Sequence, residues 1–117
     1  MNQKSMEPYG LALLDYFNGD SSAKVIIHRD DGEKSNLPIE PFFRGAENFL
    51  PMEQTALDLC YGRVLDVGAG AGPHSLELQN KGLYVCARSN ARLRLSAIDI
   101  STQACEIMKK RGVKDVR

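Results

Sequence analysis

Three glycines at alternate positions, Gly68, Gly70 and Gly72, follow the apolar run Val64-Leu65-Asp66-Val67 and lead directly into Pro73. The apolar run is short, as a covered parallel strand requires. A glycine has no Cβ, so the backbone there can adopt positive φ and a ligand can lie almost on the main chain. Pro73 suits the first position of a helix, where its missing N–H costs nothing and its fixed φ is already helical. The stretch therefore predicts strand, tight loop and helix. The free N–H groups and positive dipole end of that helix would face whatever the loop holds, favouring an anionic group.

Two cofactor classes use such a loop. The dinucleotide fingerprint G-x-G-x-x-G needs a third glycine at position 73, where proline stands. The pattern present is acid-x-Gly-x-Gly-x-Gly, from Asp66 to Gly72. It closely resembles the first motif of class I S-adenosylmethionine-dependent methyltransferases. A plain strand-to-helix turn is the bland alternative, and it seldom needs three alternate glycines.

With 117 residues there is room for one small domain. Fifteen basic and fifteen acidic residues cancel, so nothing global argues for nucleic acid or an anionic membrane. No apolar run approaches the ~20 residues of a membrane span, and Met1 to Glu7 carry no apolar signal core. Cys60, Cys86 and Cys105 are odd in number and lack a C-x-x-C pair. They read as reduced thiols of a cytoplasmic protein, with no zinc site.

Along the chain, Leu11, Leu14 and Phe17 predict a helix from Tyr9 to Phe17, closed by Asn18-Gly19. Val25 to Arg29 and Lys34 to Ile39 read as two strands around the turn residues Asp30-Asp31-Gly32. Pro38 and Pro41 argue for an extended path through Phe42 and Phe43. A helix is expected from Pro51 to about Tyr61, with Met52, Ala56, Leu57 and Cys60 inward. The helix after the glycines is expected from Pro73 to Lys81 and to end at Gly82. Leu83 to Ala87 and Ala97 to Ile100 then read as strands. Ser101 is a good N-cap for a helix from Thr102 to Arg111, with Ala104, Ile107 and Met108 inside and Gly112 at its end. Val113 to Val116 begins a further strand. Strands alternating with helices imply a parallel sheet built from βαβ units.

A ribose-bearing cofactor needs a carboxylate for its two hydroxyls, at the end of the strand after the glycine helix. Asp99 occupies that place, and positions 78 to 98 contain no other Asp or Glu. The spacing is long: Asp99 follows Asp66 by 33 residues, roughly ten more than the usual interval. The surplus is 86–96. Either a β-hairpin, with a turn at Ser89-Asn90 and a return limb through Arg92-Leu93-Arg94-Leu95, or a bulging loop would absorb it. Arg88, Arg92 and Arg94 read as a solvated face before they read as a grip on an acidic substrate.

The span from about Leu37 to Arg117 resembles small bacterial class I methyltransferases. The likeness is carried by Phe42-Phe43-Arg44, Arg63 to Gly72, His74-Ser75-Leu76, Ala97 to Ser101 and Lys109 to Val113. It implies an α/β fold, the N-terminal half of a Rossmann-like three-layer αβα sandwich around a parallel sheet. Residues 1–50 would form a helix-and-hairpin cap, and residues 51–117 a partial cofactor-binding domain. The implied cofactor is S-adenosyl-L-methionine. Asp66 would orient its methionine amino group. Gly68, Gly70 and Gly72 would make room for methionine and ribose, with Ala69 among the cofactor-binding residues of the same loop, Asp99 would bind the ribose hydroxyls, and Ile100 would lie on the adenine. That family's sheet has seven strands and this chain supplies about three, so the resemblance implies a truncated enzyme with its acceptor unspecified. His74 reads as a packing residue or a support for the ligand's carboxylate end before it reads as a base. Tyr9, Phe42, Phe43 and Arg44 would border the acceptor site if they are not simply packed. An NAD(P)-dependent oxidoreductase fragment and a non-catalytic nucleoside-binding fragment are the alternatives. A strand 63–67 left bare on one edge would invite self-association.

Overall fold

The structure, a computed structural model, describes residues 2–89 and 94–117, with backbone alone for 83–89. Helix α1 (Glu7–Phe17) starts with a proline in its first turn and stops where Gly19 takes a φ of 113°. The hairpin follows as expected. Strands β1 (Lys24–His28) and β2 (Lys34–Pro38) pair antiparallel, with Val25 opposite Leu37 and His28 opposite Lys34. Beyond it the structure departs from the expected extended path. Glu40–Phe43 is a turn of 3₁₀-helix, with Pro41 near its start, where proline's φ fits. The compact turn swings Phe42 edge-on to Tyr9 at 5.5 Å and sets Phe43 against Tyr16 at 4.8 Å.

Helix α2 (Pro51–Asp58) is shorter than expected and buries less. Leu57 is buried, whereas Met52, expected inside, is 77% exposed. Strand β3 (Arg63–Val67) carries the apolar run, and β4 (Arg94–Ile98) lies parallel to it, Asp66 opposite Ala97 and Val67 opposite Ile98. Val116 adds a single parallel bridge to Ala97 where a further strand was expected. The parallel βαβ unit is therefore present.

Helix α3 (Pro73–Ser89) corrects the reading of the long spacing. Gly82 does not end it, and 83–87 continue the helix instead of forming a strand. One interior glycine costs about 1 kcal/mol, which a 17-residue helix can absorb. Much of the surplus before Asp99 is thus helix, and the first limb of the expected hairpin is absent. The turn at Ser89-Asn90 and the return through Arg92 and Leu93 involve residues 90–93, which lie outside the described residues. β4 begins at Arg94, three residues earlier than expected, so Asp99 sits just beyond its end.

Helix α4 (Thr102–Arg111) forms as its caps dictate. The Ser101 hydroxyl accepts the Ala104 N–H, and Gly112 closes the helix at φ 104°. Ala104, Ile107 and Met108 are all fully buried. Ile107 and Ala104 pack with Leu13 of α1, Ile39 and Ala71 of the glycine loop in one cluster. A buried Leu or Ile stabilises by about 1.5–3 kcal/mol, so this cluster is what fastens α1 and the hairpin to the rest.

Side chains alternate across a strand, and the two faces of the sheet differ sharply. Val64 and Leu95 turn toward Leu57 of α2 and Leu78 of α3, and Ala97 packs on Met108 of α4. On the opposite face Leu65 is 56% and Val67 70% exposed. Helices α2, α3 and α4 thus cover one face, and among the described residues the arrangement is α/β without a complete third layer. β3 pairs only with β4 among the described residues, so its other edge is free.

Candidate functional site

The site grows from the carboxyl ends of β3 and β4. Gly68, Gly70 and Gly72 all have positive φ, at 69°, 60° and 80°. The loop is pinned to the end of β4 by backbone and side chain together. The amides of Gly68 and Ala69 donate to the Ile98 carbonyl. The Gly70 N–H donates to Asp99 Oδ2 at 2.8 Å, and the Ser101 N–H donates to Asp99 Oδ1 at 2.8 Å. A carboxylate offers about four lone-pair directions, so two remain available to hydroxyl donors. Asp99 therefore lies against the glycine loop, as a shared ligand would demand.

The glycines serve different ends. A Cβ on Gly68 would meet nothing within 4 Å, so this exposed backbone is open to a ligand. A Cβ on Gly70 would come within 3.0 Å of the Tyr9 hydroxyl. At Gly72 it would strike Met108 Cγ at 2.9 Å and Val113 Cγ2 at 3.1 Å, so Gly72 lets the loop pack on α4. Ala69, Gly70 and Gly72 are buried.

A cleft of about 640 Å³ opens on the uncovered face of the sheet, lined by Val67, Gly68, Ile98, Asp99 and Ile100, with Met6 and Tyr9 along its side. Its walls are mostly apolar with one carboxylate, a composition suited to a flat heterocycle attached to a polar sugar. Burial, and then the negative charge of Asp99, push the Tyr9 phenol up to about 12. The phenol is therefore a neutral hydrogen-bonding group at physiological pH.

Asp66 faces the helical side. Its Oδ2 accepts the fully buried Ser75 hydroxyl at 2.7 Å. With Glu53 and His74 it lines a second hollow of about 230 Å³ between α2, α3 and β3. The expected residues thus gather around one loop but divide between two hollows: Gly68, Asp99 and Ile100 in the larger, Asp66 in the smaller.

Sequence reading missed Glu53. Its Oε2 accepts the Leu50 N–H at 2.8 Å, while Oε1 meets His74 Nε2 at 2.8 Å and Arg44 Nη2. The Leu50 amide foremost, then His74 and Arg44, hold its carboxyl below the usual glutamate range. The legible signal was a glutamate three residues after a helix start at Leu50-Pro51, where a side chain reaches back to the first free amide. Nothing local announced that His74 and Arg44 would join it.

No family profile and no curated protein matches the chain. Among solved structures it is similar to an S-adenosylmethionine-dependent methyltransferase from Bacteroides fragilis, solved in complex with S-adenosyl-L-homocysteine. The two are 35% identical with a TM-score of 0.77, over 94% of this chain and 41% of the other. The chain thus spans about two-fifths of that protein's length, and it resembles a methyltransferase of this kind in both sequence and fold.

Two outcomes follow. Gly68→Ala should cost about 1–2 kcal/mol for its left-handed backbone alone, whereas Gly72→Ala should cost a further 1–3 kcal/mol for the overpacking. Urea unfolding of both variants measures the difference. The raised Tyr9 pKa contributes stability below the ordinary tyrosine value and loses it as pH rises from about 10 toward 12. The urea midpoint of the parent chain should therefore fall more steeply than that of Tyr9→Phe across this interval.

Proposed function

We propose that this chain supplies the S-adenosylmethionine-binding part of a methyltransferase. The observation that carries the reading is the hydrogen bond between Asp99 and Gly70. It brings a strand-end carboxylate and an acid-led glycine loop together beside an apolar cleft. The residues fit the group. Asp99 has lone pairs left for two hydroxyls, the backbone of Gly68 is open, and Ile98 and Ile100 supply an apolar wall. Likeness to a methyltransferase solved with S-adenosyl-L-homocysteine supports the same cofactor.

When bound, the cofactor's sulfonium supplies a methyl group with its leaving group already activated. The protein's work is then mostly positioning, holding nucleophile, methyl and sulfur in line. On this reading Asp99 fixes the sugar, Ile100 lies on the base, and Asp66 orients the amino group. Residues 1–50 act as a cap, lending Met6 and Tyr9 to the cleft, and residues 51–117 carry the cofactor. A base is required only if the acceptor must lose a proton, and no residue is assigned to that task. The odd, widely spaced cysteines are consistent with a cytoplasmic setting. The acceptor is a small molecule or another methylatable group.

Isothermal titration tests the cofactor. S-adenosylmethionine and S-adenosylhomocysteine should bind, NAD should not, and Asp99→Asn should weaken both adenosyl ligands about tenfold or more, the loss of a charge-assisted hydrogen bond. Tight NAD binding without adenosyl binding would favour the oxidoreductase alternative. The free edge of β3, with Leu65 exposed beside it, supports self-association of the chain through this strand. Light scattering should find a mass that rises with concentration and that Leu65→Lys reduces; a fixed monomer at all concentrations would refute it.

A further inference from the structure

A third hollow lies at the other end of the sheet. It has a volume of about 540 Å³ and sits by the amino ends of β3 and β4, with Arg63, Arg94, Ser96, Asp115 and Arg117 in its lining. Arg63 stands five residues before Gly68 on an extended strand, so roughly 16 Å separates this hollow from the glycine loop. Ligands of open parallel sheets bind beyond the carboxyl ends of the strands. This hollow is at the opposite end, where the cofactor reading assigns nothing.

Its charge is unbalanced. Three guanidinium groups and a single carboxylate line it. The carboxylate is already engaged: Asp115 Oδ2 accepts the Ser96 hydroxyl, and Oδ1 pairs with Arg117 Nε at 3.3 Å. Among the described residues neither Arg63 nor Arg94 stands in an ion pair. The two are register partners at the start of β3 and β4, and like charges paired across neighbouring strands are destabilising. The flanking sequence offers them no acid, since residues 59–65 and 78–98 contain no Asp or Glu.

Arginines on a surface are usually just solvated. Here the fold sets two of them side by side, next to a third held by Asp115, around a hollow within the ordinary size range of a ligand pocket. A guanidinium fork matches phosphate oxygens two at a time. An anion between Arg63 and Arg94 would also relieve their repulsion.

We propose that this hollow binds a small phosphate ester, at a site separate from the cofactor cleft. Arg63 and Arg94 take the phosphate between them, and Arg117, steadied by Asp115, adds the third positive charge. A polymer is the poorer fit. The charges of the chain cancel, and β3 continues from Arg63 with the exposed apolar side chains of Leu65 and Val67 rather than with further cations.

Isothermal titration of the full chain with inorganic pyrophosphate and with glucose 6-phosphate tests the site, because neither probe carries a nucleoside. Both should bind, and glucose should not. Arg94→Gln should weaken both about tenfold or more, the loss of a charged hydrogen bond. Arg63→Gln, also at an exposed position, repeats the test if circular dichroism finds Arg94→Gln unfolded. Lys114→Gln removes an exposed cation outside the lining and should change either affinity less than about twofold. Saturating S-adenosylhomocysteine should leave pyrophosphate binding unchanged. Absence of saturable binding, equal losses in Lys114→Gln, or competition by S-adenosylhomocysteine would overturn the proposal. So would a single-stranded oligonucleotide that binds more tightly than either probe and depends on Arg94, which would mark a nucleic-acid surface instead. The site does not rest on the cofactor reading: a chain that takes up pyrophosphate but no adenosyl ligand would refute that reading and support this one.

Discussion

The arrangement depends on one hydrogen bond, from the Gly70 amide to the Asp99 carboxylate. It joins residues 29 apart in sequence and holds the glycine loop to the end of the neighbouring strand. The loop alone is floppy, since glycine loses more conformational freedom on folding than any other residue. Asp99 alone is a strand-end acid that caps a helix through the Ser101 amide. Together they make a rigid corner with backbone on one side and a carboxylate on the other. Pre-organisation of this kind lowers the entropy cost of binding.

That corner is backed by packing. Gly72 lacks a side chain so that Met108 and Val113 can approach the loop, and Ala71 is buried in the cluster that contains Ile107 and Leu13. Helix α4 therefore does two jobs. Its Ser101 cap sets the backbone around Asp99, and its inner face supports the loop from below. Cys105 adds a weaker tie, its thiol 3.4 Å from the Asp99 carbonyl. The N-terminal helix contributes through the same cluster, which is how Tyr9 comes to stand beside Gly70 and the larger cleft.

The two faces of the sheet explain why the hollows differ. The face covered by α2, α3 and α4 encloses a small, partly charged space in which Glu53 gathers Arg44 and His74. The open face carries a broad apolar cleft and the exposed side chains of Leu65 and Val67. The glycine loop runs between the two hollows, and it lacks side chains where Tyr9, Met108 and Val113 press against it.

Much of this was local and therefore legible. Alternate glycines after an apolar run, proline at the next helix start, Ser101 and Gly112 at the ends of α4, and the Asp-Asp-Gly hairpin turn are each decided by backbone sterics and capping within a few residues. So the strand, the loop, α4, the hairpin and the candidacy of Asp99 could be read directly. The end of α3 could not, because glycine's preference against helix is only about 1 kcal/mol and context overrides it. The 3₁₀ turn at Glu40–Phe43 was likewise hidden, since aromatic packing on Tyr9 and Tyr16 outweighs the extended bias of the prolines. Only the tertiary structure brought Arg44, Glu53 and His74 onto one oxygen and put Asp66 and Asp99 in separate hollows. Those meetings depend on how helices and strands stack across long sequence separations, and no local preference encodes a distance of that kind.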